Sequence, residues 1–306
     1  MKFPFFCTNK EKTVILFYGH AGWIGGMYIE YLNSTHPGIL VINGRARIDN
    51  EQEVIDEINE CQPTHIVTFT GRTHGVIDGK PVNTIDYLEY PGRLVENVRD
   101  NLFGPIQLAM ICKEKGVHYT YLGTGCIFNS DGDQKFTEES SPNYFGSGYS
   151  VVKGFTDRLI GKFPVLNLRI RMPISSTVNP RNFITKITKY EYVCSIANSM
   201  TVLDDFFPVF TSLIVRKRTG TYNCTNPGTI SHNEILTMYR QIVDNDFTWK
   251  NMTLEEQNRI LKSERSNNHL DTTKIELEFP KLRNIHDSVI VALNKMSLRV
   301  DSLPIF

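Results

Sequence analysis

Apolar residues in this chain fall into short runs separated by helix-patterned stretches, and that alternation carries the first structural information. Residues 13–18 (TVILFY) are β-branched and aromatic, end at Gly19, and read as a buried strand. From Trp23 to Leu32, the positions Ile24, Met27, Tyr28 and Tyr31 recur at helical spacing. Ile39–Ile42, His65–Phe69, His118–Leu122 and Val165–Ile170 predict further strands, and 51–61, 94–115 and 150–162 predict helices. Strands alternating with helices require right-handed crossovers, so the expected fold is α/β: a Rossmann-like, doubly wound parallel sheet covered on both faces. The alternation breaks near residue 172. Residues 1–172 are therefore expected to form the sheet domain, and 173–306 a smaller α/β lobe interleaved with it rather than independent. Ser231 with Glu234 predicts a capping box opening a helix over 232–243.

Candidate chemistry sits at the strand ends. Gly19-x-x-Gly22-x-x-Gly25 falls between the first strand and the first helix. Gly19 permits a tight turn, Gly22 lets backbone approach a pyrophosphate, and Gly25 lets helix and strand pack closely. The unpaired N–H groups opening that helix, with Trp23 and Ile24 among its first residues, would face the phosphates. This is the pattern of a dinucleotide site, and it makes 1–172 the NADP-binding domain. An acidic residue ending the second strand would favour a free ribose 2′-hydroxyl. Arg45 and Arg47 stand there instead, which favours the 2′-phosphate of NADPH, with Asp49 close enough to blur the choice. Tyr149 and Lys153, at i and i+4, share a helix face. A phenol titrates near ~10, and a neighbouring ammonium would bring it down. Thr124, just beyond the strand 118–122, lies where a parallel sheet places its ligand contacts, and it completes a Thr–Tyr–Lys set for proton transfer to a carbonyl oxygen.

Longer motifs identify a family resemblance. The segments Gly19–Gly26, Thr124–Phe128, Tyr149–Lys153, Arg169–Ser176 and Asn179–Lys186 carry it. Asn198–Asp204, Thr225–Gly228, Ser231–Leu236 and Arg265–Asn268 extend it, so that it runs from about residue 13 to 295. Together they resemble the UDP-4-keto-6-deoxyglucose 3,5-epimerase/4-reductases that make UDP-L-rhamnose in plants and giant viruses, within the extended short-chain dehydrogenase/reductases. A more distant similarity links them to dTDP-4-dehydrorhamnose reductases and GDP-fucose synthase. The stretch between Phe128 and Ser147 is shorter than in the plant proteins.

The resemblance implies a bifunctional enzyme with UDP-4-keto-6-deoxyglucose as substrate. A ketone at C4 acidifies the C3 and C5 protons, so donors aimed at its oxygen serve both the enolates of epimerisation and the alkoxide of reduction. Thr124 and Tyr149 would be those donors, with Lys153 holding the cofactor ribose. Cys126 matches a cysteine of GDP-fucose synthase and becomes the first epimerisation acid/base. Lys186 stands where that relative has a histidine and takes the second role, with His74 in reserve. His74, Asn182, Met200, Asn226, Arg265 and Asn268 form the expected substrate-binding set, Arg265 for a phosphate.

Composition narrows the alternatives. Lys+Arg and Asp+Glu both number 33, which gives no electrostatic reason to expect nucleic acid or a membrane surface. No apolar run approaches a membrane span, and Met1–Thr13 does not read as a signal peptide. Six scattered cysteines without CxxC pairing suit a reducing, cytoplasmic compartment and give no metal-ligand spacing. A homodimer is the assembly considered. A 4-keto reductase without epimerase activity and a non-catalytic reductase-fold regulatory subunit are the competing readings. A 4,6-dehydratase is disfavoured, because Gly125 and Cys126 occupy the places of its Asp-Glu pair.

Overall fold

The computed structural model describes residues 12–130 and 132–300, so Cys7 and nearly all of Met1–Thr13 lie outside the described residues. Six strands form one parallel sheet: β1 Val14–Tyr18, β2 Leu40–Asn43, β3 His65–Thr68, β4 His118–Thr124, β5 Val165–Ile170 and β6 Gly220–Asn223. Their spatial order is β6-β5-β4-β3-β1-β2. Only β2 lies on the far side of β1, as in the flavodoxin-type order, so the chain reverses direction between β1 and β3. A crevice opens at such a switch point beyond the carboxyl ends of the strands, and Gly19 follows β1 directly into it.

The helices that frame the sheet and the lobe include α1 Trp23–Thr35, α2 Glu51–Cys61, α3 Arg93–Val98, α4 Gly104–Lys115, α5 Gly148–Ile160, α6 Phe183–Ile187, α7 Leu203–Val215 and α8 His232–Ile242, with Leu254–Ile260, Thr273–Glu278 and Ile285–Val300 following. Alternation along β1 explains the layering. Ile15 and Phe17 join Tyr28 and Leu32 of α1 and Phe206 and Phe210 of α7 in one core. Leu16 and Tyr18 point the other way, to Val54 and Ile58 of α2 and Leu108 and Cys112 of α4. Both faces are thereby buried, which is why the strands read as continuous apolar runs.

The helix expected over 94–115 is broken by a π turn at Arg99–Phe103. Pro105 has no N–H for the Asn101 carbonyl. Thr156 of α5 donates its hydroxyl to that oxygen at 2.6 Å instead. The fully buried Asn101 side chain then accepts the Arg72 N–H and donates to the Arg72 carbonyl, both at 2.9 Å. The irregular turn thus fastens the loop after β3 to the helix that carries Tyr149.

The chain leaves the sheet after β5, returns for α7 and β6, and leaves again. Residue 172 marks the first departure, and Leu203–Asn223 completes the sheet rather than the lobe. The lobe has its own core of Ile174, Ile184, Met200, Ile235, Leu236, Ile285 and Val289. Helix α8 opens on the expected capping box, with Ser231 and Glu234 each bonding the other's backbone N–H. Such a cap contributes about 1 kcal/mol.

Candidate active site

The glycine loop is built by contact and by backbone angle. Gly19 has φ +94°, and a Cβ there would lie 2.8 Å from the Phe69 carbonyl carbon at the end of β3. A side chain at Gly25 would run into the Gly19 carbonyl. Gly22 meets only the Gly19 oxygen at 3.2 Å and carries no side-chain cap, and no carboxylate occupies the first turn of α1. The N–H groups of Trp23, Ile24 and Gly25 therefore lack intrahelical acceptors and suit an anion. The Trp23 indole Nε1 is likewise buried without a partner. These features fit the diphosphate of a nicotinamide dinucleotide.

Arg45 and Arg47 stand at the end of β2 as expected, but neither is a free cation. Arg45 reaches Glu57 at 3.3 Å and Glu60 at 2.5 Å, and Arg47 reaches Asp49 at 3.0 Å and Asp100 at 3.4 Å. Glu57 is 4% exposed and also accepts the backbone N–H groups of Arg45 and Ala46. It thereby fixes the turn that presents both arginines.

At the carboxyl end of β4, Thr124 and Tyr149 come together. Ser147 caps α5 by accepting the Ser150 N–H at 3.1 Å, and the Ser150 hydroxyl donates to the Cys126 carbonyl at 2.7 Å. The helix bearing Tyr149 is thus tied to the loop bearing Thr124 and Cys126. Burial holds the Tyr149 hydroxyl well above the ordinary phenol range; Cys126 raises it further, and a hydrogen bond with Thr124 opposes the shift. Lys153 does share the helix face, but its amine donates to the Tyr121 hydroxyl and lies 4.5 Å above that ring. The expected lowering of the phenol by Lys153 is therefore not seen, because burial dominates and the ammonium is engaged elsewhere. Burial also brings Lys153 itself down to about 8, against the pull of Asp157 and Cys126. Tyr121 was not foreseen. Its signal lay in the alternation of β4, which turns Tyr119 and Tyr121 toward the same core.

Cys126 packs against Tyr87, Leu88 and Tyr149. Its Sγ lies 3.9 Å from Nη1 of Arg171, a residue quoted only as part of a motif. Charged residues at Arg169 and Arg171, continuing an apolar strand at a spacing of two, were the available clue. Arg169 is neutralised by Asp157 at 2.6 and 2.8 Å. Arg171 has no such partner among the described residues.

A second group of basic residues gathers around Arg181 in the lobe. The His74 Nε2 accepts from Arg181 at 2.5 Å, and Lys186 Nζ reaches the Asn83 carbonyl at 3.5 Å. Burial, then Arg181 and Arg265, lowers the Lys186 amine. Burial, then Arg181, Arg72 and Lys186, lowers His74 and favours the neutral ring that can accept. Arg181, absent from the expected set, is thus central to this group. Arg265, expected to meet a phosphate, holds Asp86 at 2.5 Å. Burial would raise the Asp86 carboxyl, but Arg265, Thr84 and Ser263 bring it to about 2.

The remaining expected substrate contacts belong to the fold. Asn182 is fully buried, caps α6, and donates to the Ser175 and Thr177 carbonyls at 2.9 and 2.8 Å. Met200 is a core residue of the lobe. Asn226 accepts the Val202 N–H at 2.8 Å and donates to Asp205 and Ser288. Asn268 donates to the Gly125 and Phe128 carbonyls at 2.9 and 2.8 Å, shaping the Cys126 loop from behind. None of the four presents surface to a ligand, because all are buried, with the three amide nitrogens bonded within the protein and Met200 packed in the lobe core.

Comparison with known proteins agrees with this geometry. Residues 15–179 match the model of the NAD dependent epimerase/dehydratase family. The crystal structure of a UDP-rhamnose synthase from Acanthamoeba polyphaga mimivirus is 50% identical, covers 92% of this chain and 99% of its own, and superposes with a TM-score of 0.88. A bifunctional dTDP-4-dehydrorhamnose 3,5-epimerase/dTDP-4-dehydrorhamnose reductase of Arabidopsis thaliana is 44% identical over 291 residues, 92% of this chain and 93% of that protein. The dTDP-4-dehydrorhamnose reductase of Bacillus anthracis, solved with NADP, shares the fold at 17% identity, with a TM-score of 0.77 over 94% of this chain and 99% of that one.

Proposed function

We propose a function from one premise: the chain belongs to the NAD dependent epimerase/dehydratase family. It is an enzyme that uses a nicotinamide cofactor, and we infer that it converts UDP-4-keto-6-deoxyglucose to UDP-L-rhamnose in two stages. The observation that carries this reading is the convergence of Thr124, Tyr149 and Cys126 on one buried spot at the carboxyl edge of β4, with Tyr149 and Cys126 within each other's electrostatic reach. One donor pair and one thiol beside a single carbonyl are what successive enolisation and reduction require.

In the first stage, Thr124 and Tyr149 donate toward the C4 oxygen while Cys126 and Lys186 exchange protons at C3 and C5. A half-buried amine lowered by burial and then by its cationic neighbours is suited to that exchange. In the second stage Tyr149 delivers a proton to the C4 oxygen, and Lys153 holds the ribose side of the cofactor pocket. Reduced nicotinamide, when bound, supplies the hydride. Arg45 and Arg47 favour NADPH as its source. Arg181, held by the neutral His74 ring, and Arg265 form the cationic wall suited to the UDP diphosphate.

A homodimer is part of this reading. Leu94 and Val95 on α3 are 62% and 71% exposed, and Phe155 on the adjoining α5 is 56% exposed. A second copy presenting the same apolar helices would cover them, since a two-fold contact is self-complementary. The free thiols among the described residues fit a reducing, cytoplasm-like compartment.

The test is incubation with UDP-4-keto-6-deoxyglucose and NADPH, followed by identification of the sugar, with a parallel incubation in deuterated water lacking NADPH. UDP-L-rhamnose in the first and deuterium at C3 and C5 in the second are expected. Reduction without exchange would leave a reductase alone, and neither reaction would leave a non-catalytic subunit.

A further inference from the structure

Arg171 is the largest fully buried side chain in the described residues, at 1% exposure. No carboxylate among the described residues lies within ion-pair distance of it, in contrast to Arg169 two positions earlier. Its Nη2 donates to Asn198 Oδ1 at 2.6 Å and to the Ser266 carbonyl. Its Nη1 donates to the Ser266 hydroxyl at 2.9 Å, to the Gly125 carbonyl at 3.4 Å and to Cys126 Sγ at 3.9 Å. Nε is buried without a partner. Every oxygen in that set is neutral. A guanidinium does not release its proton inside a protein, and a buried charge without a counter-ion is costly. The arrangement is explained if one neighbour becomes an anion.

Three acids are candidates. Cys126 is half-buried at the loop after β4, Tyr144 lies in the loop before α5, and Tyr149 lies on α5. Lys153 on the same helix and Tyr87 in the turn Ile85–Glu89 complete the titratable groups around the sulfur, with Glu264 and Arg265 acting on Tyr144 from the far side. A thiol ordinarily ionises near ~8.5 and a phenol near ~10. Burial moves both phenols further away, Tyr144 to about 12. Of the three, only the Cys126 sulfur is in contact with the guanidinium, 3.9 Å from Nη1. Among the other described cysteines, burial raises Cys61, Cys112, Cys194 and Cys224, and only Cys61 feels an arginine, the exposed Arg45.

We propose that Arg171 is the counter-ion of a Cys126 thiolate, a positioning residue that keeps the sulfur in its proton-accepting form beside the substrate. Asn198 holds the fork in place, since its Oδ1 also accepts the Asn268 N–H at 2.9 Å. The consequence for catalysis rests on the assignment of Cys126 to epimerisation. The pairing itself does not.

The test uses the full chain and reads the pH dependence of iodoacetamide alkylation at Cys126 by peptide mass spectrometry, beside C3/C5 deuterium exchange and reduction of already epimerised ketone. Arg171→Met should move the alkylation midpoint upward by about one pH unit or more and slow alkylation at pH 7 about tenfold, and Arg171→Lys should restore most of the rate. Asn198→Asp keeps the guanidinium and gives it a carboxylate at the 2.6 Å contact, so it should move the midpoint the same way even if Arg171→Met fails to fold. Exchange should follow the shifted midpoint, while reduction of the epimerised ketone persists. A folded Arg171→Met or Asn198→Asp protein with an unmoved midpoint would overturn the pairing. A moved midpoint with unaltered exchange keeps the pairing and removes Cys126 from epimerisation.

Discussion

Tyr149 and Cys126 are neighbours in one pocket, yet the cations behind them differ in kind. Lys153, behind the phenol, is an amine whose proton burial has loosened to about 8, and its contact is the neutral hydroxyl of Tyr121. Arg171, behind the thiol, is lowered by burial too, but a guanidinium stays charged across the physiological range. On the proposed roles, the phenol that reduces therefore has behind it a charge that pH can remove, and the thiol that epimerises has one that pH cannot. Two chemistries on one carbonyl can in this way answer differently to the same solution conditions.

The widest separation between the halves should come from deleting each acid. Tyr149→Phe keeps the ring and removes the proton donor, so reduction should fall roughly 10²–10⁴-fold while cofactor still binds at the untouched glycine loop. Cys126→Ser should do the reverse, abolishing deuterium exchange at C3, C5 or both and sparing reduction of a ketone already epimerised. Near-normal turnover in the first variant, or unchanged exchange in the second, would erase the distinction. A smaller effect should appear in pH profiles. kcat/KM for reduction should decline above pH about 8, approaching tenfold per unit, as Lys153 loses its proton, whereas exchange should show no break attributable to Arg171. The stability sign is opposite. Folding lowers the Lys153 value from 10.5 to about 8, so between those limits the unfolded chain binds more protons and this group makes stability rise with pH. Chemical denaturation across that window checks it. The smallest effect concerns the cofactor. Arg45→Ala with Arg47→Ala should shift the NADPH/NADH affinity ratio about tenfold toward NADH, muted because Glu57, Glu60, Asp49 and Asp100 already share those charges. Titration with both cofactors gives the ratio directly, and an unchanged one removes the arginines from 2′-phosphate recognition.

How far the sequence disclosed this arrangement depended on the range of the interaction. Strands and helices of the sheet were legible because burial on two faces writes continuous apolar runs, and the glycine loop was legible because Gly19 needs both a positive φ and space beside Phe69. Thr124, Tyr149 and Cys126 could be picked out by motif. The break at Arg99–Phe103 was not foreseen, since it depends on Thr156, far along the chain, answering the carbonyl that Pro105 leaves open. Asn182, Asn226 and Asn268 looked like ligand contacts because an amide in a motif does not reveal whether backbone or ligand takes its hydrogen bonds. Arg171 stayed unassigned for a related reason: the absence of a carboxylate near it is a property of folded space, invisible along the chain.

The repeated crossing between sheet and lobe has a mechanical meaning. With the chain passing from sheet to lobe after β5, back for α7 and β6, out for α8, back again for Thr273–Glu278, whose Ile275 joins the sheet core, and out once more to Ile285, five connections span the boundary instead of one. A lobe on a single tether can swing about any axis through it. A lobe on several separated tethers resists twist and lateral drift. Lys186 and Arg181, carried by the lobe, are thereby held in a fixed relation to Cys126 and Tyr149, carried by the sheet.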